Sequence, residues 1–235
     1  MGIAKDFSFR AVSELSAAAH FYKNVQGLRI LMYHAVGTTL PFDLKNILSI
    51  QPELFRRQME ELKAGGAFSP VQLEEPRQNC TNLEITVTFD DGYLDVLTQA
   101  APILEGLSLP FTVFVTPRFA EEGNPLYLNK TQLLELSKVN GCTIGAHGMT
   151  HCRLGNCAQD KLDAELKDSK KWIEDVISKE VTAIAYPYGS ACGETAAQAK
   201  SAGYRLGVCS KTGINRGGDN PFMLKRTEIR SEERR

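Results

Sequence analysis

Five short stretches place polar or titratable side chains directly after apolar runs. The first reads Thr86-Val-Thr-Phe-Asp-Asp-Gly-Tyr93. Two carboxylates, Asp90 and Asp91, stand where a strand ends and Gly92 turns the chain. On extended backbone, neighbouring side chains point to opposite sides, so one carboxylate can bind a cation while the other faces a second atom of the same site. Taken alone, Asp-Asp-Gly reads first as a helix N-cap, a position that favours Asp. The second stretch is Ile144-Gly-Ala-His-Gly-Met-Thr-His151. If residues 148–150 form a helical turn, the imidazoles of His147 and His151 share a face. Two histidines and one carboxylate make a three-ligand metal site with open positions, and the other reading is a pair of polar loop histidines. The third, Leu31-Met-Tyr-His34, ends in a histidine fit for proton transfer or for a satisfied core position. The fourth is Ala183-Ile-Ala-Tyr-Pro-Tyr-Gly189. Pro187 stiffens the strand exit and Gly189 permits a tight turn. That turn either presents backbone N–H groups and the Tyr188 ring to a ligand or simply ends the strand. In the fifth, residues 222–229, Arg226 points inward or lies exposed.

These residues need a frame. Seven runs rich in Ile, Val, Phe and Thr, at 28–33, 85–89, 111–116, 142–146, 181–186, 204–210 and 222–229, read as strands. Most are apolar at consecutive positions, as in strands covered on both faces. Helical patterns fall between them at 52–64, 93–104, 129–139, 158–178 and 194–202, the first stopped by Gly65-Gly66. Residues 38–49, 68–81 and 117–128 read as loops. Alternating strands and helices imply parallel strands with right-handed crossovers. Periodicity leaves barrel and open sheet both standing, and the first strand lacks a Gly-rich dinucleotide fingerprint. In an α/β barrel, polar residues at the C-terminal strand ends converge on one mouth, where His34, Asp90, Asp91, His147 and His151 would meet.

Composition narrows the partners. The 235 residues carry 27 Lys+Arg against 28 Asp+Glu, a net charge of −1. No basic excess exists to hold a phosphate backbone, so nucleic acid is not expected. No run of about 18 apolar residues predicts a membrane span. No apolar leader with a small-residue cleavage site stands at the start, which points to a cytoplasmic protein. The six cysteines read as reduced thiols, and the Cys152/Cys157 spacing matches no zinc-finger pattern. His20 reads as a surface residue. The expected organisation is a helical extension over 1–27, one catalytic domain over 28–229 and a charged tail over 230–235.

Thr88-Phe-Asp90-Asp91-Gly, then His147-Gly-Met-Thr-His151, then Tyr186-Pro-Tyr-Gly189, resembles in order and spacing the polysaccharide deacetylase family, the NodB-homology domain of carbohydrate esterase family four. The resemblance covers about residues 28–229. It implies a distorted (β/α)7 barrel and a divalent metal, usually zinc, with iron, cobalt, nickel and manganese as alternatives. It also implies hydrolysis of an acyl amide, usually acetyl on an amino sugar, with a carbohydrate as partner. By motif, Asp91, His147 and His151 match the metal ligands, Asp90 the general base, and the Pro187–Tyr188 turn the segment whose amide binds the oxyanion. Two departures stand out. The family's Arg two residues before this Pro is here Ala185, and its late Leu-x-His is here Leu224-Lys225-Arg226. Poly-N-acetylglucosamine deacetylases resemble the chain better, since their first strand ends in Tyr-His and that histidine is the acid. This casts His34 as the acid and Arg226 as the replacement partner of Asp90 beside the substrate. The alternatives are a deformylase of lipid-linked or small amino sugars, an inactive carbohydrate-binding barrel and, more distantly, a cysteine hydrolase using Cys152.

Overall fold

The computed structural model describes residues 25–64 and 68–231. Residues 1–24 of the expected extension, with His20, lie outside the described residues, as do Gly65-Gly66 and the last four residues of the charged tail.

The strands are β1 (Gly27–Tyr33), β2 (Ala35–Val36), β3 (Ser49–Ile50), β4 (Phe68–Pro70), β5 (Leu83–Phe89), β6 (Phe111–Val115), β7 (Cys142–Ala146), β8 (Ala183–Ala185), β9 (Leu206–Val208) and β10 (Arg226–Glu228). The α-helices are α1 (Pro52–Ala64), α2 (Ala101–Gly106), α3 (Pro117–Glu121), α4 (Lys130–Leu136), α5 (Gln159–Ile177) and α6 (Gly193–Ser201). Seven parallel strands lie side by side in the order β10-β1-β5-β6-β7-β8-β9. Leu224 N–H donates to the Gly207 carbonyl (2.9 Å) and Cys209 N–H to the Leu224 carbonyl (2.8 Å), so the segment entering β10 meets β9. The sheet therefore nearly closes into a distorted (β/α)7 barrel. Its irregularity is visible at β5, whose first residues pair with β4 and whose last pair with β6.

The seven apolar runs of the sequence are these seven barrel strands: β1 and β5 begin one and two residues earlier than expected, β7 keeps its bounds, and β6, β8, β9 and β10 are shorter. Three expectations change. Residues 68–70 form a strand and 117–121 a helix within stretches expected to be loops, and the loop expected over 38–49 runs into a strand at 49–50. Each is too short for a periodic pattern to register.

Strand alternation divides the core. Leu28 and Ile30 join Phe114, Ala183, Ala185, Leu206, Val208 and Leu224 in a small interior cluster. Leu31, Tyr33, Val87, Phe89 and Val113 face outward under Phe55, Met59 and Leu62 of α1 and Leu162, Leu166 and Ile173 of α5. Burial on both faces is why these strands read as unbroken apolar runs. The interior is narrow: a Cβ on Gly145 would lie 2.5 Å from the Phe114 ring. Tyr33 is opposite Phe89, Val115 opposite Ala146, Ala185 opposite Val208 and Met32 opposite Glu228. This register levels the strand ends, so the residues that follow them emerge at one rim. Among the described residues no helix is long and apolar enough to cross a membrane.

Candidate active site

The rim encloses a cavity of about 880 Å³ whose lining includes His34, Asp90, Asp91, His147, His151 and Tyr188. The five polar strand-end residues expected to converge do so.

Asp90 follows β5 and is 3% exposed. Arg226, at the start of β10, is 0% exposed and grips it with a fork: Nη1 donates to Oδ1 and Nη2 to Oδ2, both at 2.7 Å. The guanidinium is itself fixed by a bond from Nε to the Cys209 carbonyl (3.1 Å) and sits over the Phe114 ring (5.6 Å). Burial alone would raise the Asp90 carboxyl, but the Arg226 guanidinium, by its charge and its hydrogen bonds, outweighs it and holds Asp90 below the usual carboxylate range. Arg226 thus lies beneath Asp90 inside the barrel. Its expected placement beside the substrate is corrected, because a guanidinium with no exposed surface offers a ligand no free face.

Asp91 reverses the chain. Its φ is +70°, followed by +73° at Gly92, and this left-handed step breaks the alternation expected from extended backbone. Both carboxylates consequently border the cavity, Asp91 by its oxygen 3.1 Å from His151 Nε2 and 3.4 Å from His147 Nε2. Burial pushes the Asp91 carboxyl up, but the His151 hydrogen bond and the nearby imidazoles pull it well below its ordinary range. Residues 148–150 form an irregular bend rather than the helical turn considered above. The two imidazoles still meet, 4.9 Å between ring centres, because Gly148 (φ +70°) and His151 (φ +60°) turn the chain back.

The donor chemistry fits a metal ion. One ligand atom from each of Asp91, His147 and His151 lies within 4.8 Å of the others. His147 Nδ1 is 2.8 Å from the Ala185 carbonyl, which can only accept, so Nδ1 carries the proton and Nε2 turns a lone pair toward the cavity. Burial, opposed by Asp90 and Asp91, lowers the His147 pKa and favours this neutral form. Ala185, which carries no guanidinium, supplies a carbonyl instead.

Two supporting carboxylates carry no motif in the sequence. Glu165 of α5, 4% exposed, accepts from Met149 N–H (2.8 Å), Thr150 N–H (2.9 Å) and the Thr150 hydroxyl (2.5 Å). It clamps the bend between the two histidines. Its one signal was a charge within the apolar stripe of Leu162 and Leu166. Asp95, equally buried, accepts from Val36 N–H (2.8 Å) and Thr38 N–H (3.1 Å) and so anchors the segment after His34.

His34 lines the cavity, and its Nδ1 is buried without a hydrogen-bond partner among the described residues. Tyr188 sits in a 3-10 turn behind buried Pro187 with φ +59°, and the residue is 58% exposed. The His151 ring packs edge-on against it (4.8 Å), and the Arg153 guanidinium lies over it (4.4 Å). Phe119, Tyr127 and Tyr93 continue the aromatic wall beyond His151.

A family model described as polysaccharide deacetylase matches residues 78–207. The Bacillus subtilis (strain 168) protein YxkH is 27% identical over 211 residues, which span 86% of this chain and 71% of YxkH. Among solved structures, the Streptococcus pyogenes deacetylase PplD in complex with acetate is similar with a TM-score of 0.76 and 28% identity, over 87% of this chain and 92% of that one. BC0361, a polysaccharide deacetylase from Bacillus cereus, gives 0.74 and 26% over 87% and 65% of the two chains.

Proposed function

The chain belongs to the polysaccharide deacetylase family, hydrolases of amide bonds, and from that premise we propose that it is a metal-dependent enzyme removing N-linked acetyl groups from an acetylated amino-sugar polymer. The observation that carries this reading is a carboxylate kept ionised by a buried arginine, Asp90 with Arg226, directly beside the Asp91–His147–His151 donor set.

Asp91, His147 and His151 are the residues that would hold the metal, and two imidazoles with one carboxylate suit zinc first. A bound divalent cation would supply Lewis-acid polarisation of the amide carbonyl and of water near neutral pH. Asp90 takes the proton of the attacking water. Its depressed pKa keeps it in the base form, and Arg226 fixes its orientation. The Tyr188 amide donates to the oxygen on which charge develops, a contact worth roughly 3–4 kcal/mol where one such donor is removed. His34, whose Nδ1 has no competing partner, delivers a proton to the departing amine. The exposed faces of Tyr188 and Phe42, each 58% exposed and both lining the cavity, suit the apolar faces of sugar rings.

Formylated amino sugars would use the same chemistry. The acetate held by PplD supports acetyl as the group removed. An inactive binding barrel is disfavoured because Arg226 gives Asp90 the charge partner that Ala185 does not. The test is amine release from acetylated glucosamine oligomers, with and without a chelator. Chelator-sensitive release supports the reading, and no release from metal-loaded protein on any oligomer overturns it.

A further inference from the structure

Immediately beyond His151 the chain makes a turn that the proposed chemistry does not use. Cys152 and Cys157 bracket it, and their sulfurs lie 3.3 Å apart. Both are free thiols and neither is fully buried. The turn is built to bring its ends together. Leu154 is 0% exposed and anchors it, Asn156 N–H donates to the Arg153 carbonyl (3.0 Å) and Cys157 N–H to the Leu154 carbonyl (3.1 Å). Gly155 N–H bonds the Ser190 carbonyl at 2.9 Å, and a Cβ on Gly155 would stand 3.1 Å from Ser190 Oγ, so the turn is pressed against the 187–190 segment. Arg153, between the cysteines, covers the Tyr188 ring. Neither sulfur belongs to the set of three close donors found among the described residues, which is Asp91, His147 and His151.

We propose that Cys152 and Cys157 are a reversible disulfide site that closes the 152–157 turn on itself, directly after His151 and around Arg153. The sulfurs must close from 3.3 Å to about 2.05 Å, a movement within side-chain rotation because the backbone already holds the two residues together. The oxidant is a small-molecule disulfide such as oxidised glutathione. One cysteine thiolate attacks it, forming a mixed disulfide and expelling one glutathione thiolate. The second cysteine attacks the protein sulfur of that mixed disulfide, forms the Cys152–Cys157 bond and expels the second glutathione. Two electrons pass from the cysteine pair to glutathione, and the two thiol protons end on the two glutathione thiols. This reaction is independent of any deacetylase activity.

Trypsin reports the bond directly, because its cleavage after Arg153 falls between the two cysteines. The full chain is equilibrated with oxidised glutathione, alkylated with N-ethylmaleimide and digested. The expected product is the peptide ending at Arg153 linked to the peptide beginning at Leu154, with two hydrogens lost from the intact mass and both losses reversed by reduced glutathione. Fragment ions must place the link on Cys152. Cys142 shares that peptide but begins β7, roughly 13 Å from the rim for four residues of strand. A double variant, C152S with C157S, must yield no linked species. Wild-type protein in which both thiols stay open to N-ethylmaleimide, or carry only glutathione adducts, or in which the link involves Cys142, overturns the proposal.

Discussion

Replacing Arg226 by methionine isolates the charge that keeps Asp90 ionised. The two side chains share two hydrogen bonds of 2.7 Å and are 0% and 3% exposed, so water cannot take the place of the guanidinium. Removing one partner of such a buried pair costs about 3–5 kcal/mol, most of it the penalty of an uncompensated charge. Asp90 escapes the penalty by binding a proton. At about 1.4 kcal/mol per factor of ten, the energy corresponds to a proton affinity raised roughly 100-fold to 5,000-fold, in the direction that burial already pushes the carboxyl. The acid limb of kcat/KM in Arg226→Met therefore moves to markedly higher pH. Below both limbs the variant is about 100-fold to 5,000-fold slower, while at alkaline pH the gap narrows. Arg226→Lys, which keeps a charge but loses the fork, shifts less. Stability follows the same sign. In the wild type the folded pKa of Asp90 lies below its unfolded value, so its contribution is present above the unfolded pKa and fades as pH falls through the folded one. In the variant the folded pKa lies above, so the melting-temperature deficit shrinks in acid. A pH–rate profile and thermal melts across the same pH range test this. A uniform loss of rate with an unmoved acid limb would refute the electrostatic account of Arg226.

Asp90→Asn keeps the metal donors and should retain a stoichiometric divalent ion by elemental analysis while turnover falls about 100-fold to 10,000-fold; near-normal deacetylation would remove Asp90 as base. His147→Ala breaks the donor set, so metal content should fall to background, and full metal loading would sink the ligand assignment. Glu165→Gln replaces a charged acceptor of three hydrogen bonds by a neutral one, and metal affinity by competition titration should weaken about 10-fold to 100-fold. Affinity unchanged within error would show that the bend holds its shape without the charge. Phe42→Ala should raise KM for acetylated glucosamine oligomers more than for the monomer; equal effects on both would deny Phe42 a role along the chain of sugars.

Much of the barrel is legible in the sequence because its strands are buried on both faces. Runs such as Phe111–Val115 and Cys142–Ala146 stand out without alternation. The amphipathic stripe of α1 marks its bounds at Pro52–Ala64 equally well. β4 and α3 escape because three or five residues hold no period. The site is legible as residue types at strand ends, and its geometry is not. The direction of Asp91 depends on a positive φ, and positive φ has no dependable signature outside glycine. Arg226 is one charge in a basic stretch until β10 pairs with β1 and carries it into the barrel beside Asp90, 136 residues away in sequence. The helical turn considered between the histidines does not form, for a similar reason. Glu165 gives the Met149 and Thr150 amides a buried acceptor that an i to i+4 ladder would have denied them.

Strain and support at the rim belong together. Asp91, His151 and Tyr188 all hold left-handed φ values, and they touch one another in sequence: Asp91 to His151 at 3.1 Å, His151 to Tyr188 at 4.8 Å between rings. A left-handed residue other than glycine gives up roughly 1–2 kcal/mol, so three neighbouring ones persist only if the surrounding structure over-determines them. The restraints are identifiable. Leu128 N–H binds the Gly92 carbonyl beside Asp91, Glu165 accepts from the bend before His151, and Gly189 and Ser190 N–H groups close the turn around Tyr188. Each belongs to a barrel strand, a helix or a loop packed on one. The close approach of Asp91, His147 and His151 is therefore held by strands, helices and loops of the barrel itself.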